Sequence, residues 1–202
     1  MISIRNLRKS FEDKVLFDNF NLDIPDGSIV VISGESGSGK STLLNMIGGI
    51  EEPDRGTITV DGFDVTGKGN KRKYYRDVVG FLFQNFALLE NKTVKENLEM
   101  IQKAGRSGVE IGEALDKVGL TDVFNKKVYK LSGGEQQRIA LARLMIKKCS
   151  VILADEPTGS LDKRNSEVVM SVLHDLNLQG KTVIVVTHDE DIVSRADNVV
   201  RI

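Results

Sequence analysis

The chain has 202 residues, 40% of them hydrophobic and 28% charged, and a formal net charge of −1. This is the make-up of an ordinary globular protein, with room for one large domain or a core plus a small subdomain. A charge so near zero excludes a general attraction to nucleic acid or anionic lipid, so any hold on a membrane has to come through a protein partner.

The opening MISIRNLRKSF has no continuous apolar run, so no secretory leader is expected. No stretch approaches the ~20 apolar residues of a bilayer span. The single cysteine, Cys149, cannot form an internal disulfide; it fits a reducing cytoplasm and a small core position. Ile2-Ser3-Ile4 alternate, and after Val15-Leu16-Phe17 the alternating Asn21-Leu22-Asp23-Ile24 ends at Pro25-Asp26-Gly27, so the first third reads as β. An apolar run, Ser28-Ile29-Val30-Val31-Ile32-Ser33, leads into a glycine-rich turn and then a helix from Leu43-Leu44-Asn45-Met46-Ile47. Gly48-Gly49 and Pro53 break that helix, and Thr57-Ile58-Thr59-Val60 alternates as a strand before the turn Asp61-Gly62.

The middle turns helical. Thr93-Val94-Lys95-Glu96 and Ser107-Gly108-Val109-Glu110 have capping-box spacing and open amphipathic segments toward Gly105 and Gly119. A helix over Gln136–Lys147 follows Leu131-Ser132-Gly133-Gly134-Glu135. The chain then alternates: strand Val151–Ala154, helix near Asn165–Leu178 closed by Gly180, strand Thr182–Val186, helix, short strand at Val199-Val200. Continuous apolar strands between helices predict an α/β fold, a parallel sheet covered by helices. Residues 86–149 are the expected helical subdomain, set against 1–85 and 150–202.

Three motifs carry chemistry. Gly34-Glu35-Ser36-Gly37-Ser38-Gly39-Lys40-Ser41-Thr42 fits G-x-x-x-x-G-K-[ST], between a strand and a helix start. Its glycines 34, 37 and 39 can take positive φ and leave backbone amides bare for phosphates. Lys40 reaches the β- and γ-phosphates and Ser41 completes a Mg²⁺ shell. The pattern predicts nucleoside triphosphate binding. Asp155 and Glu156 end an apolar strand, where the first acid can hold Mg²⁺ and the second can accept a hydrogen bond from an attacking water; solvated loop carboxylates are the alternative. Ser132 and Glu135 are either a simple capping box or part of a second anion site bared by two glycines. Two such helix starts face one nucleotide only when two copies meet head to tail.

With these motifs in order, the chain resembles the ATP-binding subunits of ABC (ATP-binding cassette) transporters over essentially its whole length. Phe83-Gln84-Asn85 matches the family's Q-loop, 131–135 its LSGGE signature, Ser160-Leu161-Asp162 its D-loop and Thr187-His188-Asp189 its switch histidine. The resemblance implies a P-loop core with an N-terminal antiparallel β subdomain, and ATP and Mg²⁺ as cofactors. It places Gly34, Ser36, Gly37, Gly39, Lys40, Ser41 and Thr42 on phosphate, and Ser41, Gln84 and Asp155 around Mg²⁺ and water. Glu156 becomes the general base and His188 the γ-phosphate sensor. Ser132, Gly133 and Gly134 would meet the nucleotide of the opposite subunit, with Asp162 supporting that interface. Phe11 stands where many members stack a Tyr on adenine, and core packing is its alternative. His174 keeps a structural reading.

The implied partners are a second copy of the chain and an integral membrane permease, with no nucleic acid, at the inner face of the cell membrane. Residues Phe86–Thr93 are where such proteins contact their permease, although Leu88 and Leu89 equally suit a subdomain core. ADEPTGSLD and LSGGEQQR are similar to the small cassettes of the macrolide-exporter and lipoprotein-release group, and FQNFALLENKTVKENL to exporters of bacteriocins or antimicrobial peptides. The sequence stops at Ile202, earlier than many members, so a regulatory tail is either absent or removed. An ATPase that transmits force to cell-wall or division machinery, and a soluble ABC ATPase acting on nucleic acid or ribosomes, stay open.

Overall fold

The computed structural model describes residues 1–12, 14–67, 69, 71–159 and 161–202. The chain opens with a long antiparallel hairpin, β1 (Ile2–Phe11) and β2 (Lys14–Ile24). Alternation marks only pieces of it, because the register shifts between Ile4 and Leu7, Leu7 and Lys9, and Lys9 and Ser10. β4 (Arg55–Val60) pairs with the other edge of β1 and turns through Asp61 and Gly62, at φ 48° and 76°, into β5 (Phe63–Asp64).

The second sheet is parallel: β3 (Ile29–Ser33), β6 (Val79–Leu82), β7 (Val151–Asp155), β8 (Thr182–Val186) and β9 (Val199–Arg201), in the order β6-β7-β8-β3-β9. Successive residues enter different cores. Val30, Ile32, Val151, Leu153, Ile184 and Val186 pack with α1 (Lys40–Ile47) and the antiparallel sheet. Val31, Ile152, Ala154, Val183 and Val185 pack with α5 (Gly133–Ile146) and α6 (Lys163–Leu178). Burial on both faces is why these strands read as unbroken apolar runs.

Besides the two-residue β5 and the short 3-10 turns, two elements lay outside the sequence reading. One is α2 (Lys71–Asp77), a polar segment tied down by Tyr74 Oη donating to the Ile47 carbonyl at 2.7 Å and Tyr75 Oη to that of Gly49 at 2.6 Å. The other is β6, which α2 precedes. Between β6 and β7 lie α3 (Val94–Glu99), α4 (Ile111–Lys117) and α5, with short 3-10 turns at 103–105, 121–123 and 128–130. Capping boxes form at Thr93/Glu96 and Ser132/Glu135. The box expected at Ser107/Glu110 does not, and α4 starts with no side-chain cap. Ser107 Oγ accepts instead from the nearer Val109 amide at 3.2 Å, in a turn that its donation to the Met145 carbonyl at 2.7 Å holds in place. α5 begins at Gly133, so both glycines of LSGGE form its first turn rather than precede it. Asp162 caps α6, Asp189 caps the short α7 (Glu190–Ser194), and Cys149 is buried.

Candidate nucleotide-binding site

Residues 34–39 carry the chain from β3 into α1. Gly37 and Gly39 sit at φ 78° and 104°, and a Cβ on Gly39 would stand 3.0 Å from the Phe17 ring. Gly34, at 159°, is nearly extended; there a Cβ would collide with the Ile202 carbonyl. Gly39 caps α1 without a side chain, so the first-turn amides stay available to an anion. Lys40 is buried, and its Nζ donates to the carbonyls of Gly34 at 2.9 Å and Glu35 at 2.7 Å. Ser36, Gly37, Gly39, Lys40, Ser41 and Thr42 line a cleft of about 470 Å³ together with Phe11, Leu16, Gln84, Glu156 and His188. Phe11 is 47% exposed, which excludes core packing of its ring, and Lys9 Nζ lies over that ring, 4.6 Å from its centroid.

β7 delivers the two acids beside this cleft: Glu156 lines it, whereas Asp155 and Gly34 do not, and Asp155 is joined to it through Ser41. Ser41 Oγ donates to Asp155 Oδ1 at 2.9 Å. Burial pushes the Asp155 carboxyl up, and the Glu156 charge adds to this, while the Ser41 hydrogen bond pulls the other way. A desolvated carboxylate touching a hydroxyl is a hard-oxygen pair that fits Mg²⁺, which takes few protein ligands and leaves positions to substrate phosphate and water.

Glu156 occupies the left-handed region at φ 44°, a strain of about 1–3 kcal/mol that the surrounding contacts hold. Its amide donates to the Val186 carbonyl at 2.9 Å; its carboxylate accepts from Thr187 Oγ1 at 3.1 Å and meets His188 Nδ1 at 2.6 Å. That hydrogen bond and the Glu156 charge raise the His188 pKa above 6.5. An NMR titration of the imidazole should therefore show a midpoint above 6.5 in the wild type, falling back toward that value in Glu156→Gln. Equal midpoints would mean that the pair is not formed in solution. Because the folded value is the raised one, the pair's stabilisation is complete below about pH 6.5 and is lost as pH climbs through the folded pKa.

Ser132, Gly133, Gly134 and Asp162 do not line the cleft. They gather elsewhere, at the N-termini of α5 and α6. Asp162 Oδ2 accepts from Asn165 Nδ2 at 2.8 Å, the Arg138 guanidinium donates to Asn165 Oδ1, and Asn165 also lies against Gly134. Ser160 lies outside the described residues. Two contributors were missed. Thr187 precedes His188 at the end of β8, and a hydroxyl beside a site histidine was a usable signal. Lys14, whose Nζ donates to the Gly37 carbonyl at 2.8 Å, reaches the loop from the hairpin tip and had none.

A glycine loop running into an uncapped helix, with acids and a histidine at the carboxyl end of a parallel sheet, defines a P-loop nucleoside triphosphatase. Residues 17–159 match the ABC transporter family, and the chain belongs to that family as an ATP-binding ATPase domain. It is 40% identical to YvrO, an uncharacterized ABC transporter ATP-binding protein of Bacillus subtilis, over 99% of this chain and 92% of that one. It is 38% identical to the macrolide export ATP-binding/permease protein MacB of Campylobacter jejuni, over 100% of this chain but 33% of that longer protein. Dimeric MJ0796, a bacterial ABC transporter cassette, superposes with a TM-score of 0.89 at 37% identity, covering 100% of this chain and 94% of that one. The post-hydrolysis dimer of MJ0796 bound to ADP and Pi gives 0.88 at 36% identity, with the same coverage. The expected α/β cassette fold is the one observed.

Proposed function

We propose that two copies of this ATPase close around two ATP molecules and so drive a separate membrane permease that exports a peptide or drug-like compound. The observation that carries this reading is the division of the phosphate-binding groups. Ser36, Gly37, Gly39, Lys40 and Ser41 line one cleft, while Ser132, Gly133 and Gly134 form an anion-suited helix start that does not reach it. A second copy placed head to tail supplies the missing half. The dimers of MJ0796, one of them holding ADP and Pi, support that assembly.

In this reading Phe11 stacks on adenine, Lys40 and the loop amides hold the phosphates, and the partner's helix start closes over the γ-phosphate. Ser41, Gln84 and Asp155 would hold Mg²⁺, which would neutralise phosphate charge. Glu156 accepts the proton of the attacking water, and its strained, doubly hydrogen-bonded carboxylate is fixed for that task. His188, engaged through Nδ1, has its other ring nitrogen for the γ-phosphate. ATP binds the closed dimer best, and its loss reopens the pair, so binding energy becomes a population shift.

Residues 86–149 act as the helical subdomain that carries the signature and meets the permease. Within 86–93, Leu88 packs against the core and Leu89 is 48% exposed, which leaves Leu89 free to dock. No helix among the described residues is long and apolar enough to cross a membrane. The MacB relatives, macrolide export proteins that join ATP-binding and permease, support export as the direction and the inner membrane face as the location. Affinity purification of the tagged chain from detergent-solubilised host membranes tests this. A polytopic membrane protein recovered in equal amount is expected. Recovery of ribosomes, DNA or a soluble complex in its place overturns the membrane coupling and leaves the ATPase assignment standing.

A further inference from the structure

Gln84 leaves β6 on a tight turn that the backbone alone does not favour. The Phe86 amide donates to the Phe83 carbonyl at 3.0 Å and the Ala87 amide to that of Asn85 at 2.7 Å, so the chain folds back just after Gln84. Phe86 and Ala87 then lie side by side in the left-handed region, at φ 62° and 46°. Neither is a glycine or an asparagine, so both are strained and something outside the turn must hold them. Phe86 packs against the core, and the polar hold comes from one side chain of α5. The Arg143 guanidinium donates through Nη2 to the Phe86 carbonyl at 2.8 Å and through Nη1 to the Ala87 carbonyl at 2.5 Å. Arg143 is half-buried, and burial pulls its pKa down, so a partly desolvated cation is spent on gripping two carbonyls.

The other end of α5 is the Ser132-Gly133-Gly134 start. Eleven helical steps lead from Ser132 to Arg143, roughly 16 Å of stiff rod. We infer that Arg143 is a positioning residue that clamps the Gln84 turn to α5, so that Gln84 in one cleft and the signature offered to the other move as one body. A planar fork suits this task, because it fixes two acceptors and an orientation, whereas an ammonium fixes a point.

The inference rests on reading Gln84 as part of the hydrolytic site, and the test separates the two. Arg143→Ala, Arg143→Lys, Ala87→Gly, the Arg143→Ala/Ala87→Gly double variant and Gln84→Ala are compared in the full chain by ATPase kinetics, binding of a fluorescent ATP analogue and thermal unfolding. Arg143→Ala should lower kcat roughly 10-fold while analogue affinity stays within about twofold, since it touches no residue lining the cleft. Arg143→Lys should fall between, and it carries the test where Arg143→Ala does not fold. The diagnostic arm is the double variant: glycine adopts the left-handed turn without strain, so Ala87→Gly should restore at least about a third of the lost kcat. Unchanged kcat in Arg143→Ala, or a loss that tracks thermal stability and that Ala87→Gly does not relieve, overturns the clamp and leaves the Gln84 reading intact. A fully active Gln84→Ala overturns both.

Discussion

Replacing Glu156 by Gln should cut ATP turnover by about 10²–10⁴-fold and leave ATP binding intact. The amide matches the carboxylate in size and can keep both local contacts, accepting from Thr187 Oγ1 and donating to neutral His188 Nδ1, now seen at 3.1 and 2.6 Å. What it cannot do is take a proton from water. The same change removes a negative charge beside Asp155, and with it one cause of that residue's raised pKa. Nucleotide should therefore be held at least as well as before. With hydrolysis stopped and both binding halves intact, ATP-loaded dimer should accumulate, and light scattering in saturating ATP-Mg²⁺ reads it directly as a doubled mass. A variant that remains monomeric there would remove the support for the two-chain site. One that hydrolyses ATP at the wild-type rate would remove Glu156 from the role of base.

The two acids can serve different purposes because their surroundings differ. Asp155 is desolvated and touches a hydroxyl of the phosphate loop, which suits a metal ligand. Glu156 turns through a left-handed backbone into a cluster of Thr187 and His188, which suits a base held in one orientation. Glu156, just past the end of β7 and at positive φ, lines the cleft, while Asp155 on the strand meets it only through Ser41.

Much of this was legible from sequence, for physical reasons that can be named. β7 and β8 are buried on both faces, so they appear as apolar runs closed by the residues that do chemistry, Asp155-Glu156 and Thr187-His188. The phosphate loop is legible because its glycines answer a backbone demand. What stayed hidden depends on distant partners. α2 is polar, with only Tyr74 buried, and two tyrosine hydroxyls reaching α1 and its C-terminal turn anchor it. The Ser107 box gave way to a turn on the Val109 amide, anchored by a carbonyl 38 residues away. The long hairpin was seen in fragments because its bulges break the alternation. Within the site, the glycine-bearing start of α5 was recognisable from spacing, yet its separation from the cleft and the Arg143 grip on the Gln84 turn exist only once the chain is folded.

Lys40→Ala offers the cleanest separation of nucleotide binding from folding. In the folded chain the Lys40 ammonium bridges the Gly34 and Glu35 carbonyls across the loop, poised where phosphate charge would lie. Charge-assisted hydrogen bonds contribute about 1.5–3 kcal/mol each, so losing two to phosphate should weaken ATP binding by roughly 10²-fold or more. The cost to stability should be small by comparison. The two carbonyls lie at an open cleft and can turn to water, so the nucleotide-free Tm should fall only slightly, as for a loss of about 1 kcal/mol. In the wild type ATP binds the native state alone and should raise Tm with concentration. In Lys40→Ala that ATP-dependent rise should vanish at concentrations that saturate the wild type. Lys40→Arg should fail as well, because a planar five-donor fork does not fit a loop closed by two converging carbonyls. A full ATP-dependent rise in Lys40→Ala would mean that the phosphates are held by the loop amides and the start of α1 alone, and that Lys40 is a strut of the loop rather than a ligand of its substrate.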